Sequence, residues 1–354
     1  MKVDYTFLLL FFIVISLLDL HAVEIKDGIY EEREHFIITT QKATYYFDKS
    51  GGGLSRMIDS EGNDWIRFKK EPWGKVPESS ASAFRGIPNA VFQGEDGGCG
   101  HPGFEKCISS FESPNIIRSR SISGKWEWTW EFQEEYAVWN VLKTDTTRNY
   151  WFLYEGTVGG SYLPRNSYWG NNLDGPSYDI PNHMGGERVL GKWNWAYFGR
   201  TNTKNILFLM NCSQQPEIAS FSYMGSTSKG IDSDDGMVVF GFGRTSDSKS
   251  VLHGNHQFII GFIEMMVSGK IDHLSVSSII NHIYSLNCKD DKVYDYYLSY
   301  PSNMCKDMFA AEIYKGDCKQ SDYGPLVKAC KEKSITMDAV TQSARCACFY
   351  KHIK

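Results

Sequence analysis

The feature that most constrains this chain is a set of short segments in which apolar and polar residues alternate or apolar residues cluster. Residues 125–132 (KWEWTWEF) alternate without a break, which places every second ring on one face of a strand. Similar short runs occupy residues 36–40, 43–47, 137–142, 150–154, 206–210, 237–242 and 256–263. Many short strands separated by turn signals predict an all-β fold, a large antiparallel β-sandwich.

The tryptophans are concentrated in the same region. Eight of the ten lie between residues 126 and 195, and those on predicted strands are expected to fill the core of the sandwich. Trp73 and Trp169 fall in predicted loops, where a flat, partly polar ring can stack on a sugar. Three stretches, at residues 69–107, 156–193 and 213–236, are predicted as long loops, which are usually functional or flexible.

The N-terminus has the composition of a secretory signal peptide. Lys2 precedes an apolar run at residues 7–18, and Ala22 offers a cleavage site. An uncleaved anchor is the alternative. We therefore predict a secreted, extracellular protein with a signal peptide at 1–22, a β-sandwich domain at 23–285 and a small helical, cysteine-rich module at 286–354. The formal net charge of −5 argues against nucleic acid as a partner, and we expect no membrane association after cleavage.

The nine cysteines are unevenly distributed. In the exported tail an even set predicts three disulfides of unknown pairing, with zinc as the rival interpretation. This set is Cys288, Cys305, Cys318, Cys330, Cys346 and Cys348. Cys99 and Cys107 bracket one loop and are predicted to pair, which leaves Cys212 alone. Asn211, Cys212 and Ser213 form an N-glycosylation sequon, although it ends an apolar run.

Two segments offer groups suited to acid–base chemistry. His101, flanked by Gly and Pro in the first long loop, can act as a general base or acid, while Arg85 and Asn89 can hold a carboxylate or hydroxyls. On the strand at residues 150–154, Tyr154 is a second candidate for proton transfer. Glu155 shares a face with apolar neighbours, which favours a raised carboxyl pKa and a place beside substrate. A turn-capping histidine, a core tyrosine and a solvated glutamate are the structural alternatives.

The second long loop has the composition of a sugar-binding loop. It combines Trp169 and Asn171 with His183, which is a third candidate for proton transfer. Arg200 and Arg244 each follow an aromatic–glycine strand end, and we predict that the two converge on an anion. Surface salt bridges are the alternative for both arginines.

We expect no cofactor and no metal, with calcium as the alternative. The segment at residues 232–236 (DSDDG) resembles a calcium loop in composition only, because no glutamate follows at EF-hand spacing. His253 and His256 stand three residues apart, which is a weak metal signal. Walker, HExxH, GxSxG and dinucleotide-binding patterns do not occur in the sequence.

Residues 43–65 (ATYYFDKSGGGLSRMIDSEGNDW) resemble the opening hairpin of the galactose-mutarotase-like β-sandwich superfamily, with its Gly turn and Ile-Asp-x-x-Gly-Asn return. The resemblance implies a sandwich of the kind found in sugar epimerases, in polysaccharide lyases and in accessory domains of glycosidases. The body, with RGIPN, HPG, WFLYEGT and VFGFGR, is also similar to exported, polysaccharide-lyase-like bacterial proteins of unassigned function. The tail from Cys288 has no counterpart in either group.

The combined prediction is a secreted carbohydrate-active protein whose partner is a polysaccharide or oligosaccharide. A polysaccharide lyase, cleaving uronate-containing glycans by β-elimination, is the leading hypothesis. It assigns neutralisation of the uronate carboxylate to Arg85, Asn89, Arg200 and Arg244. Removal of the C5 proton is assigned to His101, His183 or Tyr154. A non-catalytic, lectin-like protein is the first alternative. A sugar epimerase or glycoside hydrolase is the second, and it requires a glutamate such as Glu155 buried next to a histidine.

Overall fold

The computed structural model describes residues 23–68, 85–89, 96, 105–213, 218–225 and 230–288. The predicted signal peptide, the loop segments that carry Trp73, Cys99 and His101, and the tail beyond Cys288 lie outside these residues. The predicted domain boundaries, tail disulfides and Cys99–Cys107 pair therefore stay predictions. Cys107 itself is buried, with its Sγ 3.5 Å from the carbonyl oxygen of Gly51.

The described residues form two antiparallel sheets, which confirms the predicted all-β sandwich. The nine-stranded sheet has the order β1-β2-β3-β4-β5-β10-β16-β15-β12. Its strands are β1 (Glu24–Tyr30), β2 (Arg33–Thr39), β3 (Ala43–Asp48), β4 (Gly53–Asp59), β5 (Gly86–Asn89), β10 (Phe152–Gly156), β12 (Val189–Gly191), β15 (Ala219–Gly225) and β16 (Gly236–Phe242).

The eight-stranded sheet has the order β11-β13-β14-β17-β9-β8-β7-β6. Its strands are β6 (Cys107–Ser113), β7 (Ile116–Ser121), β8 (Glu127–Phe132), β9 (Tyr136–Lys143), β11 (Ser167–Asn171), β13 (Trp195–Arg200), β14 (Ile206–Asn211) and β17 (Gln257–Ile263).

Aromatic rings fill the space between the sheets. Phe152 of β10 stacks on Phe258 of β17 with ring centroids 4.3 Å apart, and Trp139 of β9 lies 5.3 Å and 5.6 Å from these two rings. The strand-borne tryptophans of β8 and β9 are at most 1% exposed, as predicted. Burying one such large side chain stabilises the fold by about 2 kcal/mol, so this layer supplies much of the driving force that holds the sheets together.

A single described helix, α1 (Lys270–Asn287), covers the other face of the eight-stranded sheet. Its first turn is closed by Ser268, whose backbone N–H and hydroxyl both donate to the carboxylate of Asp272. Trp195 donates its indole N–H to Asn281 of the helix at 3.0 Å. The part of this sheet formed by β9, β11, β13, β14 and β17 is therefore buried on both faces, which explains the near-continuous apolar runs of β13, β14 and β17. Among the described residues no helix is long and apolar enough to cross a membrane.

The predicted long loops contain strands. β5 lies in the first, β11 and β12 in the second and β15 in the third. These strands are short or are rich in glycine, serine and tyrosine, so they lack the aliphatic runs by which strands are recognised in a sequence. The prediction that these stretches are entirely loops is therefore wrong.

The structure pairs Cys212 with Cys288, with their Cα atoms 4.9 Å apart. The prediction that Cys212 is alone, and that Cys288 bonds within the tail, is wrong. The bond ties β14 to the end of α1, a contact between segments that are 76 residues apart in sequence. Asn211 of the sequon is fully buried in β14, so the folded chain has no room for a glycan there.

Replacing Cys212 and Cys288 together by serine is expected to lower the free energy of unfolding by about 4 kcal/mol, because a loop of this length is no longer closed in the unfolded chain. Urea denaturation without reductant measures the change, with the neighbouring Ser213→Ala as control. An unfolding midpoint equal to that of the unmodified chain would contradict the assignment of this disulfide.

Candidate functional site

Strand β10 separates the core from the candidate site. Phe152 and Tyr154 point into the layer between the sheets, whereas Leu153 belongs to a small apolar cluster on the outer face together with Trp151. Because side chains alternate along a strand, Glu155 shares this outer face, and it is 4% exposed. The prediction that Glu155 shares one face of this strand with apolar neighbours is therefore confirmed.

A row of side chains runs across the outer face of the nine-stranded sheet. Glu155 pairs with Val239 of β16, and Val239 pairs with Ser222 of β15. Val189 of β12 pairs with Phe221, so the preceding residue, Arg188, continues the register beside Ser222. Neighbouring strands are about 4.8 Å apart, which places Glu155 and Ser222 about 10 Å from each other at the backbone.

His183 stands over this row in a short turn that is anchored on both sides. Asn182 accepts a hydrogen bond from the backbone N–H of Met184 at 3.1 Å, which caps the 3₁₀ turn. Asn182 also forms an isolated parallel bridge with Tyr223 of β15. The imidazole Nδ1 lies 2.9 Å from the hydroxyl oxygen of Ser222. The ring is therefore positioned by the sheet rather than by a free loop.

One arginine contacts the imidazole, and a second acts on it electrostatically. Arg188 Nε donates to His183 Nδ1 at 3.4 Å, and Arg188 Nη2 lies 3.4 Å from Nε2. Arg244 follows β16 after Gly243, whose φ of +80° turns the chain back toward the sheet. The guanidinium carbon of Arg244 lies 5.1 Å from the centroid of the Trp151 ring, and its Nη2 donates to Ser248 at 3.2 Å.

These six residues form what we call the outer-face cluster: Trp151, Glu155, His183, Arg188, Ser222 and Arg244. Burial and the positive charges of Arg244 and Arg188 lower the pKa of His183 from 6.5 to about 4. The imidazole is therefore neutral at physiological pH. Burial also lowers the pKa of Arg244, an effect that Glu155 opposes and Arg188 reinforces. With two cationic arginines and one carboxylate, the cluster is suited to an anion.

Two hydrogen-bond donors of the cluster are buried without a partner among the described residues. They are Nε of Arg244 and the indole Nε1 of Trp151. A buried donor that loses water without gaining an acceptor costs about 1–3 kcal/mol. Beside two guanidinium groups, such donors are suited to the oxygens of an anionic or hydroxylated ligand.

Several predicted site residues are instead part of the core. Tyr154 is fully buried and donates its hydroxyl to the carbonyl of Trp65 at 2.6 Å, so it is not placed to take a proton from a substrate. Trp169 lies on β11 and packs against Phe221 at 4.5 Å, so the prediction of a loop ring facing a ligand is wrong. Asn171 is buried and accepts the backbone N–H of Leu173, which stabilises a turn.

The predicted arginines do not converge. Arg85 is fully buried, where it donates to Asp235 and to the carbonyl of Gly236, and it ties the chain before β5 to the start of β16. Arg200 ends β13 in the other sheet and packs at Gly159, beyond the end of β10. Arg244 lies at the beginning of β10, so the predicted pairing of Arg200 with Arg244 on one anion is wrong.

His101 and the side chain of Asn89 lie outside the described residues, so their roles stay predictions. Asp232 pairs with Arg165, and Asp235 with Arg85, which gives two of the three carboxylates of the calcium-like loop cationic partners. Across the described part of the chain, no group of three or more His, Cys, Asp or Glu side chains could hold a metal ion.

The structure therefore brings together three of the predicted residues: Glu155, His183 and Arg244. Sequence reasoning missed Arg188 and Ser222, and it gave Trp151 no role. Arg188 stands five residues after His183, but their contact depends on β12 pairing with β15. A polar residue just before a three-residue strand gives no signal in the sequence.

No protein-family model and no curated protein matches the sequence. Solved structures with a similar fold include a putative mutarotase (YeaD) from Salmonella typhimurium, with 8% identity and a TM-score of 0.41 over 71% of this chain and 99% of that one. A galactose mutarotase-like protein from Lactobacillus casei matches with 12% identity and a TM-score of 0.39 over 64% and 99%. The periplasmic domain of Thermotoga maritima YidC matches with 9% identity and a TM-score of 0.33 over 74% and 98%.

Proteins described as mutarotases or as galactose mutarotase-like are thus among the solved structures to which this chain is similar.

Replacing Arg244 by glutamine is expected to raise the pKa of His183 by about one unit, because a positive charge that disfavours the imidazolium is removed. The value stays below 6.5, since burial and Arg188 remain. Titration of the His183 ring proton by NMR measures the pKa, and Arg165→Gln, on a distant surface pair, is the control. Equal pKa values in the two variants would show that Arg244 does not act on His183.

Proposed function

We propose that this chain is a secreted carbohydrate-active protein that binds uronate-containing glycans at the outer-face cluster and cleaves them by β-elimination. The observation that carries the proposal is the neutral imidazole of His183, which contacts Arg188 and feels the charge of Arg244. A β-elimination on a uronate needs cations at the carboxylate and an unprotonated base near the adjacent carbon. The cluster holds both kinds of group on one face of a sheet.

The arginines would bind and neutralise the uronate carboxylate, which makes the C5 proton more acidic. His183 would accept that proton. The electron pair of the C5–H bond would form the C4–C5 double bond while the C4–O bond breaks, and the released oxygen would take a proton from solvent. The contact of Ser222 with Nδ1 positions the imidazole during this step.

The base in this proposal is His183 rather than Tyr154. Burial raises the pKa of Tyr154 well above 10, and its hydroxyl is already donated to a backbone carbonyl. An imidazole that is neutral at physiological pH accepts a proton directly. His101 stays a candidate for the same or a second proton transfer.

A sugar epimerase or mutarotase is the second candidate, and the position of Glu155 favours it. Its carboxylate is buried on the same face as His183 and interacts electrostatically with Arg244. A carboxylate and a neutral imidazole on one face can serve as an acid–base pair for opening a sugar ring. This function would need a reducing sugar, whereas a lyase would need a polymer with an acidic residue.

The test is to mix the purified protein with alginate, pectate, ulvan and glycosaminoglycans and to follow the ultraviolet absorbance of the unsaturated uronate product. His183→Gln is expected to lower kcat by about 10²–10⁴-fold, the usual effect of losing a general base. Met184→Ala, an exposed neighbour, should leave the rate unchanged. Arg188→Gln should raise KM and also lower kcat, because Arg188 both binds the carboxylate and stabilises the charge that develops as the C5 proton leaves.

Polarimetry on reducing sugars distinguishes the second candidate. Faster mutarotation that depends on both Glu155 and His183, with no unsaturated product from any polymer, would replace the lyase by an epimerase. Binding to a polymer without either activity would favour the lectin-like alternative.

A further inference from the structure

The hydrogen bonds around His183 require an unprotonated ring nitrogen. A neutral imidazole has one N–H and one acceptor nitrogen, whereas an imidazolium has two donors and no acceptor. Arg188 can only donate, and its nitrogens lie 3.4 Å from both ring nitrogens. Protonation of His183 would therefore break a contact with Arg188 and place a third positive charge beside Arg188 and Arg244.

The charges that face His183 come from each element packed against it. Arg188 precedes β12, Arg244 follows β16, and Glu155 stands on β10. Ser222 of β15 is uncharged. Glu187, in the same loop as His183, accepts a hydrogen bond from the backbone N–H of Asn182 at 3.0 Å. Glu155 opposes the charge of Arg244, yet the two arginines still dominate the electrostatics at the imidazole.

An anion between the arginines would reverse this balance. Its charge would compensate the two guanidinium groups, and its oxygens could accept from the unpartnered Arg244 Nε and from a protonated imidazole. We propose that an anionic group held between Arg188 and Arg244 makes the imidazole of His183 easier to protonate, so that anion binding and protonation of this imidazole are coupled. The proton comes from solvent, and no bond of the ligand changes.

The coupling deepens the proposed function and rests on it only for the choice of a uronate as the natural ligand. In the free protein, His183 is held neutral and is a weak base. With a carboxylate bound, the imidazole becomes more basic but remains mainly neutral at a slightly alkaline pH. Substrate would thus activate its own base. By reciprocity, an anion should bind more tightly as the pH falls.

The test is to measure the NMR titration of His183 in sodium sulfate and in sodium chloride of equal ionic strength. Sulfate remains a dianion throughout the titration. Any difference in the titration curve of His183 therefore comes from the protein and not from protonation of the anion. The pKa of His183 is expected to rise from about 4 by about one to two units in sulfate. His282, whose pKa is lowered by burial alone, is the internal control and should not move.

The double variant Arg188→Gln, Arg244→Gln should lose the sulfate-dependent rise and keep its fold, which the unchanged signal of His282 would verify. A pKa of His183 that is the same in sulfate and chloride overturns the coupling. So does a rise of equal size in the double variant, because the arginines would then not hold the anion.

Sodium D-glucuronate and D-glucose separate this inference from the proposed function. A rise with sulfate and with glucuronate, but not with glucose, supports both. A rise with sulfate alone supports the coupling and contradicts the uronate assignment. Product formation from a uronate polymer without any change in the pKa of His183 would support the lyase and overturn the coupling.

Discussion

The stacking of Phe152 on Phe258 holds β10 against the opposite sheet, and the outer-face cluster depends on that placement. With the two rings parallel and 4.3 Å apart, β10 is fixed in register and depth. The period of two along a strand then directs Trp151 and Glu155 to the other face. Replacing a core aromatic residue of β10 would therefore disturb the candidate site without touching any of its residues.

The second determinant is the electrostatic field at the edge formed by β12, β15 and the chain after β16. Arg188 and Arg244 approach the same imidazole, and each also has a contact that holds it in place: the carbonyl of Ser246 for Arg188, and the Trp151 ring for Arg244. Like charges are kept close because the fold fixes their backbones. The packing of the core offsets this repulsion, so the outer-face cluster holds two guanidinium groups against one carboxylate.

The sequence predicted the sandwich from particular segments. The tryptophans of the alternating segment at residues 125–132 are buried, as expected. The apolar runs at residues 206–210, 237–242 and 256–263 correspond to β14, β16 and β17. Trp169 was misassigned because its neighbours in β11, Ser167 to Asn171, include Gly and Asn, which are typical of loops. Cys212 was misassigned because its partner stands 76 residues away, beyond any local pattern.

The sequence by itself determined the fold class, the burial of most aromatic residues and the presence of histidine, arginine and glutamate side chains suited to acid–base chemistry. These follow from local alternation and composition, which act over a few residues. Only the tertiary structure decided that His183 and Arg244 meet Arg188 and share a face with Glu155, while Arg85, Tyr154 and Arg200 serve elsewhere. That choice depends on which strands are neighbours, and strand order is set by packing between residues far apart in the chain.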